Sequence, residues 1–417
     1  MRFIYTFLLY LSVPFVLCRL YWKGRRLPAY RRRIHERFSL NNLAPTDVWL
    51  HAVSLGEVIA ATPLIDALLA QKLRVLVTTM TPTGSLQVST RFGDKVAHQY
   101  IPYDLPWALK RFFKKMNARV GIIMETELWP HLIHQATRAN VPLVLANARI
   151  SDKAFKHYQM MRFFFKPILA KFSSILSQSD LDATRFVALG APVNRVHALG
   201  NMKFDLQIQV SNQVIFDQLK TAWGVSRPVV MAASTHEGEE KQLLAGLTHL
   251  KAAIPNVVLL IAPRHPERFK TVYALAEWHG FNTQLRSQPN TIDAHTDVVI
   301  LDSLGELLGF YRVSDYAFVG GSLVPVGGHN VLEPIAMQVP VFCAPFMMNS
   351  KAIFAALCDA GALQCVKDID DLWARLVAMH LKPIEHTQQI ANANGVLKAN
   401  QGAVLRCLDV VLACMRA

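Results

Sequence analysis

Carboxylates that stand directly behind apolar runs are the residues best suited here to move a proton. The β-rich run Val48–Val53 leads through His51-Ala-Val-Ser-Leu-Gly-Glu57 into a helical stretch. Glu57 falls on the first helical turn, where a carboxylate could take a proton from an incoming hydroxyl. Ser54-x-x-Glu57 is equally a capping box, and spacing alone favours that reading. A second run, Val120–Met124, ends in Glu125-Thr-Glu127-Leu-Trp129-Pro130. Unpaired buried charge is costly, so two carboxylates at a strand end point to a cleft, facing one way if the strand continues. Alternatively, Glu127 complements the dipole of a helix begun at Pro130.

The second half offers groups that hold anions. Pro263-Arg264-His265-Pro266-Glu267-Arg268 follows a buried run, and Pro266 suits the first position of a helix. Arg264 then lies in the loop, where it either grips a phosphate or carboxylate or pairs with Glu267. Leu304, Gly305 and Glu306 follow the run 297–301. Gly320-Gly-Ser322 and Gly327-Gly-His-Asn330-Val331-Leu332-Glu333 follow another. Two Gly-Gly pairs let backbone approach a bound anion, and Glu333 could accept hydrogen bonds from a ribose diol; glycines also simply make turns. There is no G-x-x-x-x-G-K-[ST], no G-x-G-x-x-G after the first strand and no Gly-x-Ser-x-Gly elbow. His236-Glu237 lacks the second histidine of a zinc protease helix, and no cluster has metal-ligand spacing, so no metal is expected.

These residues need a scaffold, and the apolar runs supply one. Strands are predicted at Val48–Val53, Arg74–Thr79, Val120–Met124, Pro142–Ala146 and Ser174–Ser177. After an irregular, polar stretch from Asn201 to Arg227 the rhythm restarts at Pro228–Ser234, Val257–Ala262, Asp297–Leu301, Tyr316–Val319 and Val339–Cys343. Helical patterns separate the runs. Continuous apolar strands alternating with helices argue for parallel sheets covered on both faces, and two such series make two doubly wound α/β domains. The chain's 417 residues suit two cores rather than one. Ligands in such folds bind beyond the carboxyl ends of the strands, where these carboxylates and glycines lie.

Charge is concentrated at the N-terminus. Residues 1–40 hold nine Lys or Arg against Glu36, so +8 of the net +14 lies there. Before that cluster, Phe3 to Cys18 runs sixteen residues without a charge. An apolar segment followed by a basic flank is what an anionic membrane surface attracts, at about 1 kcal/mol per basic residue. A signal peptide lacks its cleavage site here, and a nucleic-acid patch would interleave stacking aromatics, so no nucleic-acid partner is expected. Six cysteines without a C-x-x-C read as reduced, buried thiols.

Taken together, His51–Glu57, Thr78-Thr-Met-Thr-Pro-Thr-Gly84, Met124–Pro130, Asn147-Ala-Arg149, Ser234-Thr-His-Glu-Gly-Glu239, Pro263–Arg268 and Gly320–Ser322 with Gly327–Glu333 closely resemble the 3-deoxy-D-manno-octulosonic acid (Kdo) transferase family. The likeness runs in order along almost the whole chain. It implies the GT-B glycosyltransferase fold: two Rossmann-like domains facing a cleft, plus an N-terminal membrane-anchoring segment. The expected division is 1–40 for the anchor and basic flank, 41–205 for acceptor binding, and 206–417 for donor binding with the C-terminal helices.

The resemblance also implies a reaction, in which Kdo passes with inversion from CMP-Kdo to the lipid A precursor. This is a step of lipopolysaccharide core synthesis at the cytoplasmic face of the bacterial inner membrane. No cofactor or metal is implied, since CMP-Kdo is a substrate. By the same resemblance Glu57 is the general base, and Glu125 and Lys203 stabilise the transition state. Pro263, Arg264, Leu304, Gly305, Glu306, Asn330, Val331, Leu332 and Glu333 match the family's CMP-binding positions. Retaining GT-B enzymes often carry Glu-x7-Glu, and the position eight after Glu333 is Val341. The competing classes are a UDP-sugar enzyme on the same scaffold and a membrane-tethered binding protein without catalysis.

Overall fold

The computed structural model describes residues 2–205, 213–288 and 292–416. The chain forms two compact units, Met1–Asp205 with Asn400–Ala417, and Leu206–Ala399. Unit 1 is built on β1 (Val48–His51), β2 (Val75–Thr79), β3 (Ala97–Tyr100), β4 (Val120–Met124), β5 (Leu143–Ala148), β6 (Ser174–Ser177) and β7 (Val196–Ala198). All pair in parallel, in the order β3-β2-β1-β4-β5-β6-β7. Successive side chains alternate between two helical layers. Val48, Leu50, Val120 and Ile122 meet Leu64, Ile65 and Leu68 of the helix Leu55–Ala70. Trp49, Ile123, Leu143 and Leu145 meet the opposite layer through Phe112, Leu132 and Phe186.

Unit 2 repeats the plan. Its strands are β8 (Val229–Thr235), β9 (Val258–Pro263), β10 (Thr283–Leu285), β11 (Val298–Ile300), β12 (Tyr316–Val319), β13 (Val341–Cys343) and β14 (Gln364–Cys365). Their order is β10-β11-β9-β8-β12-β13-β14, again parallel. In each sheet the chain reverses direction of travel at one point, between β1 and β4 and between β8 and β12. Loops leaving two such neighbouring strands diverge and open a crevice at their carboxyl ends. Those are the loops that carry Glu57, Glu125, His236 and Gly320.

Three expectations are corrected. The stretch expected to be irregular up to Arg227 contains a helix, Gln213–Trp223, held by the buried Phe216, Leu219 and Trp223; residues 206–212 lie outside the described ones. The helix Ala403–Arg416 belongs to unit 1, not to a domain running 206–417. Val404, Cys407, Leu408 and Val411 face the unit 1 core, and burying each large aliphatic stabilises by about 1.5–3 kcal/mol. Asp205 accepts the Val404 N–H at 2.6 Å at the start of that helix, and Arg406 reaches the Leu199 carbonyl. Finally, the thiols are all free but not all buried: Cys18 and Cys365 are exposed.

The apolar N-terminus is one helix, Arg2–Arg26, and Phe3–Arg25 is long and apolar enough to cross a membrane by length and composition. One face docks on unit 1. Tyr5 Oη donates to Asp104 Oδ2 at 2.8 Å, and Thr6 Oγ1 meets His131 Nε2 at 3.0 Å. The other face is bare, with Phe3 90%, Phe7 68% and Phe15 73% exposed. Part of the basic flank is structural rather than solvated. Arg33 pairs with Glu36 at 2.7 Å, and the buried Arg37 lies over the Tyr100 ring and donates to the Met80 carbonyl. Arg19, Arg25 and Arg32 stay exposed.

Candidate active site

Glu57 sits on the first turn of the helix after β1, and both sequence readings of it describe the same side chain. Ser54 Oγ accepts the Glu57 N–H and donates to Oε1 at 2.8 Å, while the Val53 N–H donates to Oε2 at 2.9 Å. The carboxyl is buried, and that burial pushes it up to about 7, against those hydrogen bonds; the charges of Glu125 and Glu127 add to the rise. A carboxyl poised near neutrality exchanges a proton readily at cellular pH. Capping and proton transfer are thus compatible in one group.

β4 stops at Met124 because Glu125 takes a left-handed conformation, φ 55°. The two carboxylates therefore do not share a strand face. Glu125 Oε2 accepts from Arg149 Nε at 2.8 Å, while Glu127 accepts from Trp129 Nε1 at 2.7 Å. Asn147, inside β5, is also left-handed at φ 52° and interrupts the pairing with β6. Its Oδ1 holds the Met202 N–H at 3.1 Å and so fixes the short turn Met202–Phe204 that presents Lys203. Left-handed non-glycine residues cost roughly 1–3 kcal/mol and gather where function requires the geometry.

Lys203 is the cation of this group. Burial lowers its pKa, the carboxylates of Glu125 and Glu57 pull it back up, and Arg149 opposes them. Among the described residues no carboxylate closes on its ammonium as an ion pair. The structure thus gathers Glu57, Glu125 and Lys203 in unit 1, together with Arg149. Beside them lies an apolar cavity of about 540 Å³, lined by Ile4, Leu8, Trp129, Met161 and Phe164, with Glu127 on its wall.

In unit 2 the glycine loop differs from a phosphate cradle. The fully buried Glu239 carboxylate accepts the N–H groups of Gly321, Ser322 and Leu323, and that of His236. Gly327 and Gly328 donate to the Gly321 carbonyl. These amides are spent on the protein itself. Gly320 is required for a different reason: a Cβ there would stand 2.7 Å from the Ser234 carbonyl oxygen. What remains for a ligand is side chains. Arg264 is exposed, makes no ion pair among the described residues and does not pair with Glu267, which lies 3.9 Å from His265. Pro266 opens a single 3-10 turn before the helix Phe269–Trp278.

Glu333 is mostly buried, which raises its carboxyl, and it accepts from Asn330 Nδ2 at 3.0 Å; the Arg264 charge pulls it down. Asn330 Oδ1 in turn holds the Leu332 N–H, and Val331 and Leu332 are buried beneath. Pro263 ends β9 and is buried. Leu304 is 76% exposed, Gly305 is left-handed, and Glu306 accepts from Arg286 at 2.8 Å.

The 3-deoxy-D-manno-octulosonic-acid transferase (kdotransferase) family model matches residues 32–206. A 3-deoxy-D-manno-octulosonic acid transferase of Haemophilus influenzae is 39% identical over 98% of this chain and 98% of its own. The chain belongs to the Kdo transferase family. The Bordetella pertussis transferase of the same name is 32% identical over 98% of each chain. Solved structures with the same two-sheet GT-B fold include a Rickettsia africae glycosyltransferase, TM-score 0.57 at 11% identity, covering 89% of this chain and 99% of that one. Another is the Neisseria meningitidis UDP-GlcNAc 2-epimerase, TM-score 0.52 at 12% identity, covering 88% and 100%.

In this Kdo transferase, a glycosyltransferase of lipopolysaccharide synthesis, sequence reasoning gave several site residues no role. Asn147 and Arg149 stood within a quoted motif without one, although an Asn-Ala-Arg at a strand end is polar where the strand is apolar. Glu239 closed another quoted motif without a role. His236 and His329 were likewise only motif letters, and the Kdo transferase joins them Nε2 to Nε2 at 2.8 Å.

Proposed function

We propose that the chain transfers Kdo with inversion from CMP-Kdo to the lipid A precursor at the cytoplasmic face of the inner membrane, without a metal. The acceptor hydroxyl oxygen attacks the anomeric carbon, the bond to the CMP phosphate breaks, and the hydroxyl proton passes to Glu57. Lys203, with Glu125 and Arg149 holding its surroundings, supplies positive charge where negative charge develops. The observation that carries this reading is the Glu57 carboxyl: buried, raised to about 7, and set beside a lysine at the strand-order reversal of unit 1. Mass spectrometry of the lipid product after incubation with CMP-Kdo tests it, because an acceptor without the added sugar mass would reject it.

The acceptor assignment draws support from the apolar cavity, which has Thr126 and Glu127, next in the chain to Glu125, on its wall and takes part of its lining from the N-terminal helix. An acyl-bearing sugar could keep its chains there. For the donor, Arg264→Ala and Glu333→Ala should each weaken CMP binding about 10–100-fold by calorimetry, the usual consequence of losing a charge-assisted hydrogen bond. Acceptor affinity should hold. Unchanged CMP affinity in both variants would move the nucleotide elsewhere.

Membrane attachment divides into two contributions that salt separates, since only the electrostatic one is screened. Replacing Phe3, Phe7, Leu11 and Phe15 by serine removes apolar surface from the bare face and leaves Tyr5 and Thr6 docked. The variant should bind anionic vesicles at low salt through Arg19, Arg25 and Arg32 and release them at high salt. The unaltered protein should resist the wash. Equal retention of both in sedimentation would place the anchor elsewhere.

A further inference from the structure

We infer that Asn147, Gln178 and Asn201 are positioning residues for Lys203, joined in a ring of carboxamide hydrogen bonds that fixes the backbone from which its ammonium reaches. Four bonds close the ring. Asn147 Oδ1 accepts the Met202 N–H at 3.1 Å, and Asn201 Oδ1 accepts the Lys203 N–H at 3.0 Å. Asn201 Nδ2 donates to Gln178 Oε1 at 3.0 Å, and Gln178 Nε2 donates to the Asn147 carbonyl at 3.0 Å. Two consecutive N–H groups of the Met202–Phe204 turn are thus held, one from β5 and one by the residue that opens the turn.

The sense of every bond is forced. The Asn147 carbonyl can only accept and the Lys203 N–H can only donate. Between these ends Gln178 must turn Nε2 to Asn147, and Asn201 must turn Oδ1 to Lys203. Reversing either amide would set like groups face to face at both of its contacts. The ring therefore has one arrangement, which rotating hydroxyls in the same places would not have.

Its footing is rigid. Asn147 lies in β5 and Gln178 directly follows β6, the neighbouring strand. Asn147 and Asn201 are both buried, and the left-handed backbone at Asn147 suits an asparagine. Beneath the turn, Met202 packs in the apolar cluster that holds Val58 and Ala61 of the Glu57 helix and Met124 at the end of β4. Arg149, two residues beyond Asn147, holds Glu125. The end of β5 thus reaches Lys203 through one side chain and Glu125 through another. All three ring members are neutral, so they hold the turn without adding a carboxylate that would compete for the ammonium. An aspartate at 147 would accept the Met202 N–H equally well. It would also remove Asn147 Nδ2, which is buried without a partner among the described residues. The amide bears that cost and keeps a negative charge away from the turn.

This inference rests on the role given to Lys203 above, and the test separates the two. Asn147→Gly keeps the left-handed backbone and removes the carboxamide, while Gln178→Leu removes both bonds of a half-buried side chain. Each should lower kcat for Kdo transfer about 10–100-fold, the loss that small misplacements of a working group produce, with KM for CMP-Kdo within twofold. In a Lys203→Met background the same substitutions should change kcat less than twofold, because the group they position is already gone. A kcat within twofold of the parent in both variants, or an equal loss with and without Lys203, would overturn the assignment of the ring while leaving Lys203 its role. Transfer by Lys203→Met alone at the unaltered rate would instead overturn the Lys203 reading, and this inference with it.

Discussion

Replacing Glu57 by glutamine will lower the rate of Kdo transfer by about 10²–10⁴-fold, the usual contribution of a general base, in a protein that remains folded. Glutamine keeps the length of the side chain and an oxygen for the Val53 N–H, and its amide N–H can donate to Ser54 Oγ where Oε1 accepted, so at most a fraction of the ~0.5–2 kcal/mol of a cap is lost. The unaltered enzyme should show a rate that rises with pH through about 7 and then levels, because only the ionised carboxyl accepts a proton. Stability carries the same signature with opposite slope. The folded carboxyl titrates near 7 and the unfolded one near 4.5, so the native state holds an extra proton between those values. Its stability therefore falls as pH rises across that window, and the glutamine variant loses that slope. Transfer by Glu57→Gln at the unaltered rate would leave the capping role alone.

Lys203→Met should reduce transfer by about 10²–10³-fold, the loss seen when one preorganised electrostatic group is removed from a buried site. Methionine replaces the aliphatic stem, so side-chain length is largely kept while the charge is not. A second readout distinguishes charge from structure. Lys203 and Glu57 interact electrostatically, and deleting the cation removes a positive neighbour from Glu57 while Glu127 and the Arg149-paired Glu125 stay beside it. The rising limb of the pH–rate profile should shift to higher pH, and Lys203→Arg should restore its position with part of the rate. A methionine variant within threefold of the parent, with an unmoved profile, would remove Lys203 from the chemistry.

The parts legible in the sequence were those that physics makes repetitive. All ten predicted strands exist, because strands buried on both faces are continuous apolar runs. The four that escaped are β3, β7, β10 and β14, and each is the edge of its sheet. An edge strand is short and half exposed, so Ala97-His-Gln-Tyr100 or Val196-His-Ala198 reads as loop. At the site, residue types were visible but their partners were not. Spacing offered Glu125 and Glu127 one shared face, and the left-handed backbone at Glu125 sends them to different partners. The glycine loop suggested a cradle for phosphate, and a carboxylate 82 residues earlier in the chain had already filled it. Pairings between distant positions leave no trace in local composition, and Lys203 is the extreme case, a lysine in a polar stretch whose role came only through resemblance.

The return of Ala403–Arg416 to unit 1 has a consequence for how the protein is made. Unit 2 is one uninterrupted segment, whereas the core of unit 1 needs residues from both ends of the chain. At ribosomal rates of 5–20 residues per second, the layer that receives Val404, Leu408 and Val411 waits roughly 10–40 s after its last strand emerges. Throughout that interval Leu64, Leu68 and their neighbours lack part of their cover, while an apolar N-terminal helix is already outside the ribosome. A nascent chain in that state is a natural client for chaperones, and early engagement of its first helix by the bilayer would keep it from pairing with other exposed cores. The N-terminal helix, long and apolar enough to cross a membrane, thus also bears on escape from aggregation during synthesis.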